Sequence, residues 1–154
     1  MKTKFCLLGF YFLWMIACQG QQTAHPSLYY LDGSAAKKLE IENALKKGPA
    51  PGEEHIQFIN LGKSKNLSSH LVWIKTREEP HYHAHHEGTV LLLQGKGTLN
   101  LNGEKIPLQV GDVMSIPQGV THFFVNEGEK PVAAYVIFAP PMEEMDYIPV
   151  TNSY

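Results

Sequence analysis

The chain has 154 residues, of which 44% are apolar and 18% charged, an ordinary globular composition at a length that supports one domain with its own core. Thirteen basic residues stand against fifteen acidic ones, for a formal charge of −2; without residues 1–17, which carry two of the lysines, the balance moves further negative, so nucleic acid is not an expected partner. The only cysteines, Cys6 and Cys18, lie in or beside that first segment, which excludes thiolate catalysis, thiolate metal ligation and disulfides from the rest of the chain.

Lys2 and Lys4 precede an uncharged run from Phe5 to Cys18, the pattern of an export signal. The run falls short of the roughly 20 apolar residues a membrane span needs, and Gln19, Gln21 and Gln22 follow at once. Its end, Met15-Ile16-Ala17-Cys18, resembles the lipobox of bacterial lipoproteins, with Met15 where leucine is usual. That resemblance implies cleavage before Cys18, lipidation of Cys18 and tethering in the cell envelope, with contact to the membrane through the lipid only. An ordinary signal peptide cut near Ala17 is the alternative.

From Gln19 to about Ser34 the chain reads as a polar tether with an aromatic patch at Leu28-Tyr29-Tyr30. Good helix formers from Ser34 to Lys47, with Ser34 as N-cap and Gly48-Pro49 as a stop, predict one short helix. The loop Gly48–Gly52 then leads into short apolar runs that suit strands: residues 55–61, 71–76, 89–93, 97–101, 105–108, 112–116, 122–125 and 132–138. Turn signals separate them, the strongest being Asn102-Gly103. Closely spaced strands without intervening helices predict an antiparallel sandwich or barrel over residues 53–140, of which a jelly roll is one form. Pro140-Pro141 ends it, and residues 141–154 read as an extended surface tail.

The chemistry concentrates in Pro80–Gly95, which holds His81, His83, His85, His86 and Glu87. In a strand, residues two apart share a face, so His81 and His83 point inward together while Tyr82 points away, a chelate geometry for a metal. His122 starts another strand after the Pro117-Gln118-Gly119 turn, where a barrel can bring it to the same interior spot. Three converging imidazoles without a metal would leave buried polar groups to be partnered, which favours the ligand reading. His55 and His70 read as structural, His25 as a bystander, His85 as exposed, and Asn126 as a strand-end residue.

The two histidine stretches resemble the two motifs of the cupin family of small β-barrels with a metal at the mouth. The second motif, a glycine, five residues, Pro-x-Gly, two residues, histidine, three residues and asparagine, is met in full by Gly111, Pro117, Gly119, His122 and Asn126. The first is met in part. His81 and His83 fit, but Lys75 stands where a glycine is expected, and Glu87 precedes Gly95 by eight positions rather than seven, which puts Gly88 at the counted glutamate position. The resemblance implies a mostly β, cupin-like antiparallel barrel or jelly roll, preceded by one short helix and the signal segment. It also implies a divalent ion (Fe, Mn, Ni or Zn) on His81, His83 and His122. For the fourth position three outcomes stand open: Glu87 through a shifted turn, His86 in its place, or water.

Such a site keeps positions open for Lewis-acid activation or oxygen binding. Expected cavity residues are Val90, Leu92, Leu99, Leu101, Met114, Ile116 and Phe124, with Trp73 and Tyr135 as further candidates. No arginine or lysine falls inside, which points to a small, largely apolar or neutral molecule as substrate or ligand. The expected functions are a dioxygenase-like or isomerase-like metalloenzyme, a non-catalytic metal- or ligand-binding envelope protein, or a module whose metal only staples the fold. A homodimer is a compatible assembly.

Overall fold

The computed structural model describes residues 27–32, 34–52, 54–142 and 146–151. The expected signal segment, Cys18 and His25 lie outside them. In chain order the elements are β1 (Ser27–Asp32), β2 (Ala35–Glu40), α1 (Ile41–Lys47), β3 (Ile56–Lys63), β4 (Ser68–Ile74), β5 (His81–Tyr82), β6 (Glu87–Gln94), β7 (Lys96–Leu101), β8 (Glu104–Gln109), β9 (Val113–Ile116), β10 (His122–Asn126), β11 (Val132–Ala139) and β12 (Ile148–Pro149).

Two antiparallel five-stranded sheets form the body, one in the order β3-β4-β11-β6-β9 and the other β12-β5-β10-β7-β8. Their facing sides share one apolar core, in which Val72, Ile74, Leu92, Val136 and Phe138 from the first sheet meet Leu99 and Phe124 from the second. Burying each side chain of this kind contributes about 1.5–3 kcal/mol. Every segment expected as a strand in residues 55–138 contains one. The Asn102-Gly103 turn joins β7 to β8 with both residues at positive φ (51° and 88°), as a two-residue type I′ hairpin requires.

Before the barrel the structure departs from the expected helix. Only Ile41–Lys47 is helical, while Ala35–Glu40 pairs with β1 from Ser27↔Glu40 to Asp32↔Ala35. The cause is the Leu28-Tyr29-Tyr30 run, which suits a strand and offers β2 a ladder, overriding the mild helix preference of Ala35-Ala36-Lys37-Lys38. Glu40, not Ser34, occupies the N-cap position, and its side chain makes no capping bond.

All seven residues of β4 are buried, because both of its faces are covered. Val72 and Ile74 face the shared core, whereas Leu71 and Trp73 belong to a second cluster with Ala133, against which Ala44 and Leu45 of α1 pack. Trp73 therefore serves the outer layer rather than the cavity. Strand parity puts Tyr135 on the same side, since Ala134 and Val136 face the core.

Candidate metal centre

β5 lies beside β10 with His81 directly opposite His122, and His83 follows one pleat further along the same face. The ring centroids of His81 and His122 are 4.3 Å apart, those of His81 and His83 5.1 Å, and those of His83 and His122 5.2 Å. One ligand nitrogen from each lies within 4.8 Å of the others, and all three residues are buried.

The hydrogen bonds behind the rings fix their tautomers. His81 Nδ1 donates to the Glu79 carbonyl (2.8 Å), His122 Nδ1 to the Val120 carbonyl (2.9 Å) and His83 Nδ1 to the Asp146 carbonyl. A carbonyl only accepts, so each Nδ1 carries its proton and each Nε2 keeps its lone pair. Burial, reinforced by the neighbouring rings, pushes His81 down to about 3 and His122 to about 4, and burial lowers His83 as well, so all three are neutral near pH 7. Three neutral, oriented imidazoles with free Nε2 atoms are a donor set that fits a divalent transition metal.

Neither fourth-ligand candidate joins this group. Glu87 opens β6 on its exposed face, while Gly88 turns inward onto the cavity and Phe138. Parity thus leaves the inward position with no side chain and the carboxylate one residue away, pointing out. His86 is buried, but its Nδ1 lies 2.7 Å from Asp146 Oδ2 and its Nε2 3.2 Å from the Pro141 carbonyl. Both ring nitrogens are turned toward these partners, and His86 is not among the histidines whose ligand atoms converge.

The remaining histidines are placed by ordinary bonds. His70 is buried against Ser68 Oγ (2.9 Å) and the rings of Phe58 and Phe138, His55 meets Thr76 Oγ1 (3.1 Å), and the His85 side chain is exposed. Asn126 ties a strand end, donating to the carbonyls of Lys75 and Lys130 and accepting from Gly128 N–H. Gly119, at φ 77°, lets its N–H reach back to the His83 carbonyl (2.8 Å), which links the two histidine stretches.

Three functional residues carry no local signal in the sequence. Asp146 reaches across from the C-terminal segment and accepts from Ala84 N–H (3.1 Å), His85 N–H (2.7 Å) and His86 with its carboxylate. Burial pushes that carboxyl up, but these donors outweigh it and bring the group down to about 2. Tyr147 stacks on His81 at 3.9 Å and donates its hydroxyl to the Glu79 carbonyl. β12 then pairs with β5, so this part of the expected surface tail is a structural side of the site. The third residue is Glu78. Its Oε2 accepts the Phe124 N–H (2.9 Å), and its side chain lines the cavity with the three histidines.

That cavity offers about 80 Å3 to water-sized molecules and opens to solvent. Val90, Leu92, Leu99, Met114, Ile116 and Phe124 line it as expected, while Leu101 packs behind it. Among the described residues no lysine or arginine lines it; the polar groups are the three histidines, Glu78 and Tyr147.

A two-sheet antiparallel barrel with three inward imidazoles that could hold a metal ion defines a class, the double-stranded β-helix. Residues 71–138 match the family model described as Cupin domain. An uncharacterised protein of Aquifex aeolicus is 43% identical over 111 residues, covering 72% of this chain and 90% of its own. The structure of KdgF from Halomonas sp. aligns with a TM-score of 0.57 and 26% identity, over 62% of this chain and 88% of that one. A Streptomyces PAC13 variant, solved with uridine, shares the fold at TM-score 0.55 and 17% identity, over 71% and 89%. The chain belongs to the cupin family.

Proposed function

We propose that the protein is a metal-dependent enzyme of the cell envelope that acts, in a dioxygenase-like or isomerase-like manner, on a small, largely apolar neutral molecule. The observation that carries this reading is the convergence of three neutral histidines, Nε2 lone pairs free, on one wall of an otherwise apolar cavity. His81, His83 and His122 would hold a divalent ion, which when bound supplies Lewis acidity and open positions for an oxygen ligand. The chain itself orients the rings through backbone carbonyls, excludes water with its apolar walls and offers Glu78 as a proton-accepting group. A three-histidine set leaves positions open, which favours chemistry over a closed structural staple.

The envelope placement rests on Lys2, Lys4, the Phe5–Cys18 run and Cys18 as the lipidated residue. Among the described residues no helix is long and apolar enough to cross a membrane. Metabolic labelling with palmitate should mark the wild type and not Cys18→Ser.

Metal analysis of the isolated protein tests the central reading. Wild type should carry about one divalent ion per chain and His122→Ala essentially none; a metal-free wild type that also refuses Fe, Mn, Ni and Zn on reconstitution ends it. Metal-loaded protein that turns over no phenol, diketone or thiol shifts the reading to a non-catalytic metal- or ligand-binding envelope protein.

A further inference from the structure

Among the described residues, Glu78 is the one carboxyl lining a cavity whose other walls are apolar apart from the histidines and Tyr147. It is held there from both ends: its N–H donates to the Phe124 carbonyl (2.9 Å) and its Oε2 accepts the Phe124 N–H (2.9 Å). Phe124 is two residues after His122 on β10, so the carboxyl sits about 7 Å further along the strand that presents the third histidine. Among the described residues, the other Glu78 oxygen has no hydrogen-bond partner.

We propose that Glu78 is the proton acceptor for a ligand of one chemical class, a small molecule with an apolar body and a single weakly acidic hydroxyl, a phenol or an enol. The walls decide the body. A polyol would place several hydroxyls against Val, Leu and Phe side chains, each left unsatisfied at about 1–3 kcal/mol. Ligand charge is decided by the lining, which offers no lysine or arginine to an anion, while an ion on the histidines repels a cationic ligand. The single hydroxyl is decided by Glu78, whose second oxygen is open to accept from an O–H in the cavity.

In the transfer, the ligand's O–H bond breaks, its electron pair stays on the ligand oxygen, and the proton joins the free oxygen of the Glu78 carboxylate. Nothing is oxidised or reduced, and the reverse step returns the proton. Burial, opposed in part by the Phe124 N–H, raises Glu78 to about 7, which suits a group that accepts and returns a proton near neutrality. The inference rests on the metal reading, because a cation at the histidines makes the bound hydroxyl more acidic.

The test is calorimetric binding of p-cresol to the zinc-loaded protein at pH 8, in two buffers of different ionisation enthalpy. p-Cresol has the side chain of tyrosine, with a pKa of about 10, so it is neutral in solution. Wild type should bind it with almost no proton released, because Glu78 keeps the proton. Glu78→Gln, with zinc content unchanged, should either release about one proton per cresol or bind about tenfold more weakly. Exposed Glu79→Gln should match wild type, and toluene should bind wild type and Glu78→Gln alike. Equal cresol affinity and proton count in wild type and Glu78→Gln overturns the inference, as does cresol binding no tighter than toluene. If Glu78→Gln fails to fold, difference infrared spectra of the wild type decide. A protonated-carboxyl band must appear when cresol binds, and its absence overturns the inference. A wild type that takes none of Fe, Mn, Ni and Zn instead sinks the proposed function, so the two failures are distinguishable.

Discussion

The two stretches that deliver the histidines are held in opposite ways. Gly111–Asn126 aims His122 largely with its own backbone: Val120 N–H closes the Pro117 turn, His122 Nδ1 reaches back two residues to Val120, and Asn126 ties the strand end to Gly128. Pro80–Gly95 depends on a distant segment. Asp146 holds His83, Ala84, His85 and His86, Tyr147 covers His81, and Val150 N–H bonds the Pro80 carbonyl (2.8 Å). Local restraints demand particular residues at particular spacings, whereas restraints from a distant strap do not.

Cutting the strap should separate the two stretches most sharply. Asp146→Ala removes three acceptor contacts and leaves two N–H groups and a buried imidazole without their partner. Metal affinity should fall by about 10–100-fold, because the strap that brings the Asp146 carbonyl to His83 loses its side-chain anchor. Stability should fall by roughly 1.5–3 kcal/mol or more. Asp146→Asn should not rescue, because its amide would aim donors at donors. Chelator competition and denaturant melts measure both, and a wild-type metal affinity in Asp146→Ala would show that the first stretch holds itself.

Acid should weaken the histidines without cutting the strap. The folded values of His81 (about 3) and His122 (about 4) lie below the ordinary 6.5, so the unfolded chain binds more protons over that interval. Stability should therefore be full above about 6.5 and decline as pH falls toward 4. Glu78 has the opposite sign: raised to about 7, it favours the fold most below 4.5 and loses that contribution as pH rises through 7. With four lowered histidines, the three of the site and His70, against one raised carboxyl, melts of metal-free protein should show net loss from pH 6.5 to 4.5. Asp146, lowered to about 2, stays ionised there. An Asp146→Ala melt should keep the same slope at lower overall stability; a flat profile in either protein would contradict the neutral, buried triad.

How much of this was legible in the sequence follows from the same contrast. The barrel strands could be read because alternation and turn residues are local signals, and the meeting of His81, His83 and His122 could be read from parity and the second motif. The β1–β2 hairpin could not, since Ala35–Glu40 becomes a strand only through pairing with Ser27–Asp32. Glu78 was hidden for a related reason: in Arg77-Glu78-Glu79 it looks like solvated charge, and Glu79-Pro80 breaks the strand before His81, so parity counted back from the histidines gives the wrong face. Asp146 and Tyr147 carry no spacing rule at all, because their partners lie about sixty positions away.

The smallest effect sharpens the comparison from the self-held side. Asn126 completes the second motif, yet it touches neither the cavity nor a histidine; its amide bonds the Lys75 and Lys130 carbonyls and its oxygen accepts the Gly128 N–H. Because these groups are partly open to solvent, Asn126→Ala should cost about 0.5–1.5 kcal/mol, the worth of an ordinary hydrogen bond. Metal affinity should stay within about twofold of wild type, since His122 keeps its Val120 bond and its pairing opposite His81. Paired with the Asp146→Ala result, this places the restraint that matters for the metal in the strap rather than in the motif residue. A loss of metal in Asn126→Ala as large as that in Asp146→Ala would reverse the assignment, and Asn126 would then be holding His122 through the strand itself.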